Sequence, residues 1–301
     1  MPKICYIEKR FRKDSLERIA QANAIIAEHQ SEGFDLTLRQ LYYQFVSRDL
    51  IPNNQKSYDN LGALVSDARL AGLIDWNTIQ DRTRNLQQNS HWDNPEEIVN
   101  ACANQFKVDH WANQRYRPEV WIEKDALVGV IEGICTKLDV PFFSCRGYTS
   151  QSEMWRAGQR LLKHRKSGQT PIIFHFGDHD PSGMDMTRDI TDRLEMFTNH
   201  DLEISRRALN MDQIEEFNPP PNPAKITDSR AEAYIAQFGY ESWELDALAP
   251  RTIVNLVRDA IVAIRDEDEW NLSHANEANG REELQLVSDG WDSAVDHLRA
   301  A

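Results

Sequence analysis

Apolar positions along the chain keep a helical period up to about residue 117 and then fall into short runs of strand length. Residues 15–29 carry Leu16, Ile19, Ala20, Ala22, Ile25 and Ile26 at helical spacing. Thr37 is placed to cap a second helix whose stripe of Leu38, Leu41, Tyr42, Phe45 and Val46 marks one buried face. A third helix, with Ser57 as its predicted cap, would bury Leu61, Leu64, Val65 and Ala68 and leave Lys56, Asn60 and Arg69 towards solvent. Three helices followed by a polar segment, Asp75 to Asn94 with Arg82 and Arg84, fit a winged-helix arrangement. There the third helix enters a DNA groove and the wing touches phosphates, although a bundle of this size also serves as a plain scaffold.

Beyond residue 117 the pattern predicts β, α, β, α, β, α. The strands are Pro118 to Ile122, Pro141 to Phe143 and Pro171 to Phe176; the intervening helices run from about Ala126 to Leu138 and from Ser152 to Lys166. Right-handed crossovers make this a parallel sheet flanked by helices. The third strand is nearly continuously apolar, as a strand buried on both faces should be, and stops at Gly177. Asp178 and Asp180 follow where the strand opens into a loop, and Glu123 ends the first strand in the same way. Ligands of open α/β sheets bind at this edge, and such carboxylates suit a Mg²⁺ that shares itself with a phosphate. Asp180 followed by Pro181 equally reads as the N-cap and first residue of a helix through Met186 and Ile190.

Periodicity separates the adjacent tyrosines. Tyr42 belongs to the apolar stripe, whereas Tyr43 falls one position round, on the face that carries Arg39 four residues earlier. A phenol beside a guanidinium is a candidate nucleophile next to a charge stabiliser.

Charge narrows the classes of partner. The net charge is −14, and twelve of those charges fall after residue 200. That argues against binding driven by indiscriminate attraction to a polyanion, while leaving the first two thirds able to form a nucleic-acid surface. Four scattered cysteines form no zinc spacing and predict reduced thiols. Without a long apolar run or an apolar leader, a soluble, cytoplasmic protein is expected.

Five ordered motifs between Thr37 and Ala260 carry a family resemblance. They are Arg39-Gln40-Leu41-Tyr42-Tyr43, Ile122-Glu123-Lys124-Asp125-Ala126, Arg146-Gly147-Tyr148, Asp178-His179-Asp180-Pro181-Ser182-Gly183 and Trp243-Glu244-Leu245-Asp246-Ala247-Leu248. The chain resembles the topoisomerase VI A subunit and the meiotic double-strand-break transesterases, above all the compact stand-alone forms of bacteria and phages. It departs at Gln40, where the family has an acidic residue, and at His179, where small Ala is common; water exposure is expected for His179.

The resemblance implies a CAP-like winged-helix domain over residues 1–117 and a toprim domain over 118–260; the acidic extension over 261–301 falls outside it and reads as helical from its own apolar spacing. It implies a type IIB topoisomerase-like activity on double-stranded DNA, with Tyr43 forming a 5′-phosphotyrosyl link, Arg39 neutralising developing charge, and Glu123, Asp178 and Asp180 holding Mg²⁺. It further implies a homodimer that brings the tyrosine and the metal site together in trans, in a nucleoid-associated protein of bacterial, phage or plasmid origin. No phosphate-binding loop of an ATPase occurs, so any ATP-driven gating would come from a partner subunit, and only about 36 residues before the tyrosine helix favour a stand-alone dimer. Two alternatives stand beside it: a toprim nuclease that hydrolyses DNA with the carboxylates alone, and a DNA-binding subunit active only with a partner. The acidic tail reads as a packing helix or as a regulator of DNA entry.

Overall fold

The computed structural model describes residues 3–79 and 89–300. Arg82 and Arg84, the expected wing contacts, lie outside the described residues. Among the described residues no β-hairpin follows the third helix; the extended contacts there are single bridges, Leu36 with Ile79 and Cys5 with Ala71.

Three helices form the N-terminal layer: α1 (Lys13–Ser31), α2 (Leu38–Ser47) and α3 (Gln55–Leu70). Their apolar stripes meet in one core of Ile19, Ile25, Leu41, Phe45, Leu61 and Val65, among others. Thr37 caps α2 through a capping box: its hydroxyl accepts from the Gln40 N–H, and the Gln40 side chain accepts from the Thr37 N–H at 2.8 Å. Gln40 therefore completes a cap. The cap of α3 is Asn54 rather than Ser57, because Asn54 Oδ1 accepts the Ser57 N–H at 2.9 Å. Arg69 turns back from solvent, lies 5.0 Å over the Trp76 ring and donates to the carbonyl of Ile79.

Helix α4 (Pro95–Gln105) leads into the sheet, which is built from β1 (Tyr116–Ile122), α5 (Val128–Lys137), β2 (Phe142–Ser144), α6 (Gln151–Lys166), β3 (Thr170–Phe176), α7 (Pro181–Thr198) and β4 (Glu203–Ala208). All pairings are parallel, in the order β2-β1-β3-β4. β1 runs beside β3 in register from Tyr116 opposite Thr170 to Ile122 opposite Phe176. Strand periodicity splits the apolar residues between two faces. Val120, Ile122, Ile172, Phe174 and Phe176 pack on α5 and on α10 (Pro250–Val262), while Trp121 and Ile173 pack on α6 and α7.

Between β4 and α10 come α8 (Met211–Phe217), a two-residue strand β5 (Asn222–Pro223), α9 (Ala231–Phe238), a second, β6 (Glu241–Ser242), and the short 3₁₀ turn Leu245–Ala247. This turn joins the two layers, because Ala247 belongs to the N-terminal helical core and Leu245 to that of the sheet. The acidic tail forms α11 (Glu267–Asp289) and α12 (Trp291–Ala300). α11 packs along α4, places Trp270 against Trp111, and ties Glu277 to His110 at 2.9 Å. No helix among the described residues is long and apolar enough to cross a membrane.

Candidate active site at the strand ends

The strand order places the topological switch point between β1 and β3: the connection leaving β1 turns outward to β2, and the chain then crosses back to β3. Glu123 and Asp178 stand at these two carboxyl ends. The Asp178 N–H donates to Glu123 Oε2 at 2.8 Å, and Asp178 Oδ1 accepts the Leu245 N–H at 2.7 Å. Asp180 is the N-cap of α7, accepting from the Gly183 N–H and the Ser182 hydroxyl, with Pro181 in the first turn. The cap is stable only because residue 183 is glycine: a Cβ there would lie 2.2 Å from the Asp178 carbonyl oxygen.

Burial shapes the electrostatics. Asp178 is 6% exposed, and desolvation, reinforced by Glu123 and Asp246 against the opposing charge of Lys124, pushes its carboxyl up to about 8. Glu123 is also pushed upward, chiefly by burial and then by Asp180, against its hydrogen bond from the Asp178 backbone. Two buried carboxyls side by side offer the all-oxygen ligands that a hard divalent cation takes. Among the described residues, however, no group of three or more His, Cys, Asp or Glu side chains is arranged to hold a metal ion. The positive charge at hand is Lys124, whose ammonium reaches Asp178 Oδ2 at 3.0 Å and Glu244 Oε2 and Asp246 Oδ1 at 2.7 Å each.

Tyr43 and Arg39 approach from α2. Arg39 Nε donates to Asp246 Oδ2 at 2.7 Å, its guanidinium also donates to Glu244, and Nη2 lies 3.4 Å from the Tyr43 hydroxyl. Burial disfavours the charges of Arg39 and Lys124, but their carboxylate neighbours outweigh it and raise both pKa values. Tyr43 is only 4% exposed, where the sequence placed it on the polar face: α2 docks against the 3₁₀ turn and covers it. Its phenol is held above the usual tyrosine range by burial first, then by the charges of Asp246 and Glu244. Glu244, which burial alone would raise, is drawn down to about 2 by Lys124 and Arg39. Arg39, Tyr43, Glu244 and Asp180 line one cleft of about 410 Å³, with Asn53, Asn222 and Lys225 along its other wall. Tyr42 reaches the same cleft; it is buried as expected, yet its hydroxyl donates to Asn53 Oδ1 at 2.9 Å.

His179 is buried, at 1% exposure, and does not face water as expected. Its backbone pairs with Trp243 in a bridge, its Nδ1 meets the Tyr234 hydroxyl at 2.8 Å, and burial lowers its pKa to about 4. The sequence reading also missed Arg206, whose half-buried guanidinium donates to the carbonyls of Gly177 at 3.1 Å, Asp178 at 2.6 Å and Gly183 at 3.0 Å. It clamps the turn that carries the aspartates. Arg206→Met should leave the Asp178 carbonyl without its donor, while the Gly177 carbonyl keeps the Leu209 N–H, and lower stability by about 1–3 kcal/mol, measured by urea unfolding with an unchanged slope. A loss below about 0.5 kcal/mol would mean that the clamp does not hold the turn.

Neither a protein-family model nor a curated protein matches the chain, so the case for function rests on this cleft.

Proposed function

We propose that the protein is a DNA-cleaving tyrosyl transesterase of the type IIB topoisomerase kind, built from a helical DNA-binding layer and a toprim-like sheet. One observation carries the reading: Tyr43, Arg39 and Asp180 line a single cleft at the switch-point edge that also holds Glu123 and Asp178. A phenol is mostly protonated at neutral pH and is a weak nucleophile until its proton is taken and the pentavalent phosphorus is neutralised. Arg39 is placed to pair with a phosphate oxygen, and the ammonium of Lys124 adds a second positive charge. Glu123, Asp178 and Asp180 would hold Mg²⁺, whose positive charge would stabilise the phosphoryl oxygens. Double-stranded DNA is the substrate, and two copies of the chain supply two tyrosines, one for each strand. The cleft joins Tyr43 to Asp180 of the same chain, which supports pairing within a chain where the family resemblance implies pairing across two.

The test is to mix the purified protein with supercoiled plasmid and Mg²⁺, stop with denaturant, and look for protein attached to DNA ends. Attachment supports the reading; linear DNA with free ends would replace it by a hydrolytic nuclease that uses the carboxylates alone. The low exposure of Tyr43 favours that second reading, since a plain nuclease has no need of the phenol.

Tyr42→Phe separates the two tyrosines. Loss of the hydroxyl's bonds to Asn53 and the Asn54 carbonyl should cost about 1 kcal/mol of stability, and covalent attachment should stay within about tenfold of wild type. An inactive Tyr42→Phe beside an active Tyr43→Phe would exchange their roles.

A further inference from the structure

Glu244 has three hydrogen-bond partners in the cleft. Its carboxylate accepts from Lys124 Nζ at 2.7 Å, from the Arg39 guanidinium and from Asn222 Nδ2 at 3.3 Å. The first two are the cations that a phosphodiester in this cleft would need. The same Arg39 Nη2 that bonds Glu244 lies 3.4 Å from the Tyr43 hydroxyl, whose proton must leave before Tyr43 can bond to phosphorus, and both side chains line the cleft. One carboxylate thus occupies the place of the substrate's charge beside the proposed nucleophile. It is partly open to the cleft, with a side chain 27% exposed, whereas neighbouring Asp246 is 1% exposed and remains with Arg39 and Lys124.

We infer that Glu244 is both the stand-in for the DNA phosphate in the free protein and the proton acceptor for Tyr43 once DNA is bound. The inference rests on the tyrosyl reading above and adds to it the group that activates the phenol. An entering phosphodiester is, like a carboxylate, an oxygen anion, and it competes for Arg39 and Lys124. As it takes them, Glu244 loses the two cations that hold its proton affinity down, and it becomes a better base at the moment the substrate arrives. The charged and titratable groups facing it are Arg39 and Tyr43 from α2, Lys124 from the turn after β1, and Asp246 from its own segment, with Asp180 and Lys225 also lining the cleft.

The step balances. The Tyr43 O–H proton passes to Glu244, and the phenolic oxygen forms a bond to phosphorus. The bond from phosphorus to the 3′ oxygen breaks with its electron pair on that oxygen, which takes one proton from water, while Glu244 gives its proton back to water. Resealing runs the same transfers in reverse, and no oxidant, reductant or nucleotide is consumed.

A Glu244→Gln variant separates the two roles because it keeps the size of the side chain and removes its charge and basicity. Binding of a short DNA duplex without Mg²⁺, at fixed salt, should tighten several-fold, since the competing carboxylate is gone. Covalent attachment in Mg²⁺ should slow by about 10²-fold or more, the usual worth of a positioned base. The residual rate should climb with pH between about 6 and 9 as hydroxide takes over the proton, while Glu244→Asp, which keeps a carboxylate, should restore a flatter profile. Attachment by Glu244→Gln at the wild-type rate overturns the inference and leaves the tyrosyl reading standing. So does slow attachment with weaker duplex binding and an unchanged pH profile, the signature of a carboxylate that only props up its neighbours. Failure of the tyrosyl reading shows separately, as wild-type protein that never becomes attached to DNA.

Discussion

Tyr43→Phe is expected to fold, to bind DNA and to form no covalent link with it. Phenylalanine keeps the ring in its place beside Tyr42, where the two rings stand edge to face with centroids 5.3 Å apart. Removing the hydroxyl takes away one long bond, from Arg39 Nη2 at 3.4 Å, and leaves Arg39 and Glu244 as they were. These two remain bonded to each other, so no buried charge is left alone. The stability cost should therefore stay near 0.5–1.5 kcal/mol, the net worth of one hydrogen bond. Attachment to DNA, in contrast, should fall to background, since no other atom of the side chain can bond to phosphorus. The measurement is a denaturant-stopped reaction with end-labelled DNA, scored for protein-bound ends, beside a urea titration of each protein. A variant that still becomes linked would remove Tyr43 from the chemistry. A variant that cuts at the wild-type rate and leaves free ends would assign cleavage to hydrolysis by the strand-end carboxylates.

The parts of this arrangement that are local in sequence were legible there, and the parts made by distant packing were not. β3 announces itself as a nearly apolar run because both its faces are covered, and β1 through the alternation of Val120 and Ile122; their acidic ends follow from where these patterns stop. Arg39 and Tyr43 could be paired because four residues make a turn of helix. β4 escaped notice: Glu203 to Ala208 is an edge strand with three charged residues, and one of these, Arg206, points into the turn after β3. Nothing in the alternation of apolar and polar residues distinguishes such a strand from a loop. The burial of Tyr43 comes from a 3₁₀ turn some two hundred residues away, and that of His179 from a backbone bridge to Trp243, so helix and strand periods alone could not reveal either. The roles of Glu244 and Asp246 stayed hidden for the same reason. The segment was visible as a motif, but its partners Arg39 and Lys124 are assembled only by the fold.

Asp178→Asn is expected to remove Mg²⁺-dependent cleavage and, independently, the effect of Mg²⁺ on stability. Asn is close in shape and can still accept the Leu245 N–H, so the turn should persist, yet it brings no negative charge to a cation. If the wild-type site binds Mg²⁺, an ion present at a hundred times its dissociation constant stabilises the folded protein by about 2.7 kcal/mol. The variant should show much less of this shift in a thermal melt with and without Mg²⁺. An equal shift in both proteins would move the ion elsewhere. Because Tyr43 and Asp180 share a cleft within one chain, mixing Tyr43→Phe with Asp178→Asn gives a sharper result. If tyrosine and carboxylates act within a chain, every chain in the mixture lacks one of them, and attachment stays at background however the copies pair. If they act across two copies, each mixed pair joins an intact Tyr43 to an intact Asp178 once, and nicked DNA with protein on one strand appears. The cleft predicts no recovery. Recovery would keep the chemistry and relocate it to an interface between two copies, with the tyrosine helix leaving its own chain's strand ends to meet those of its partner.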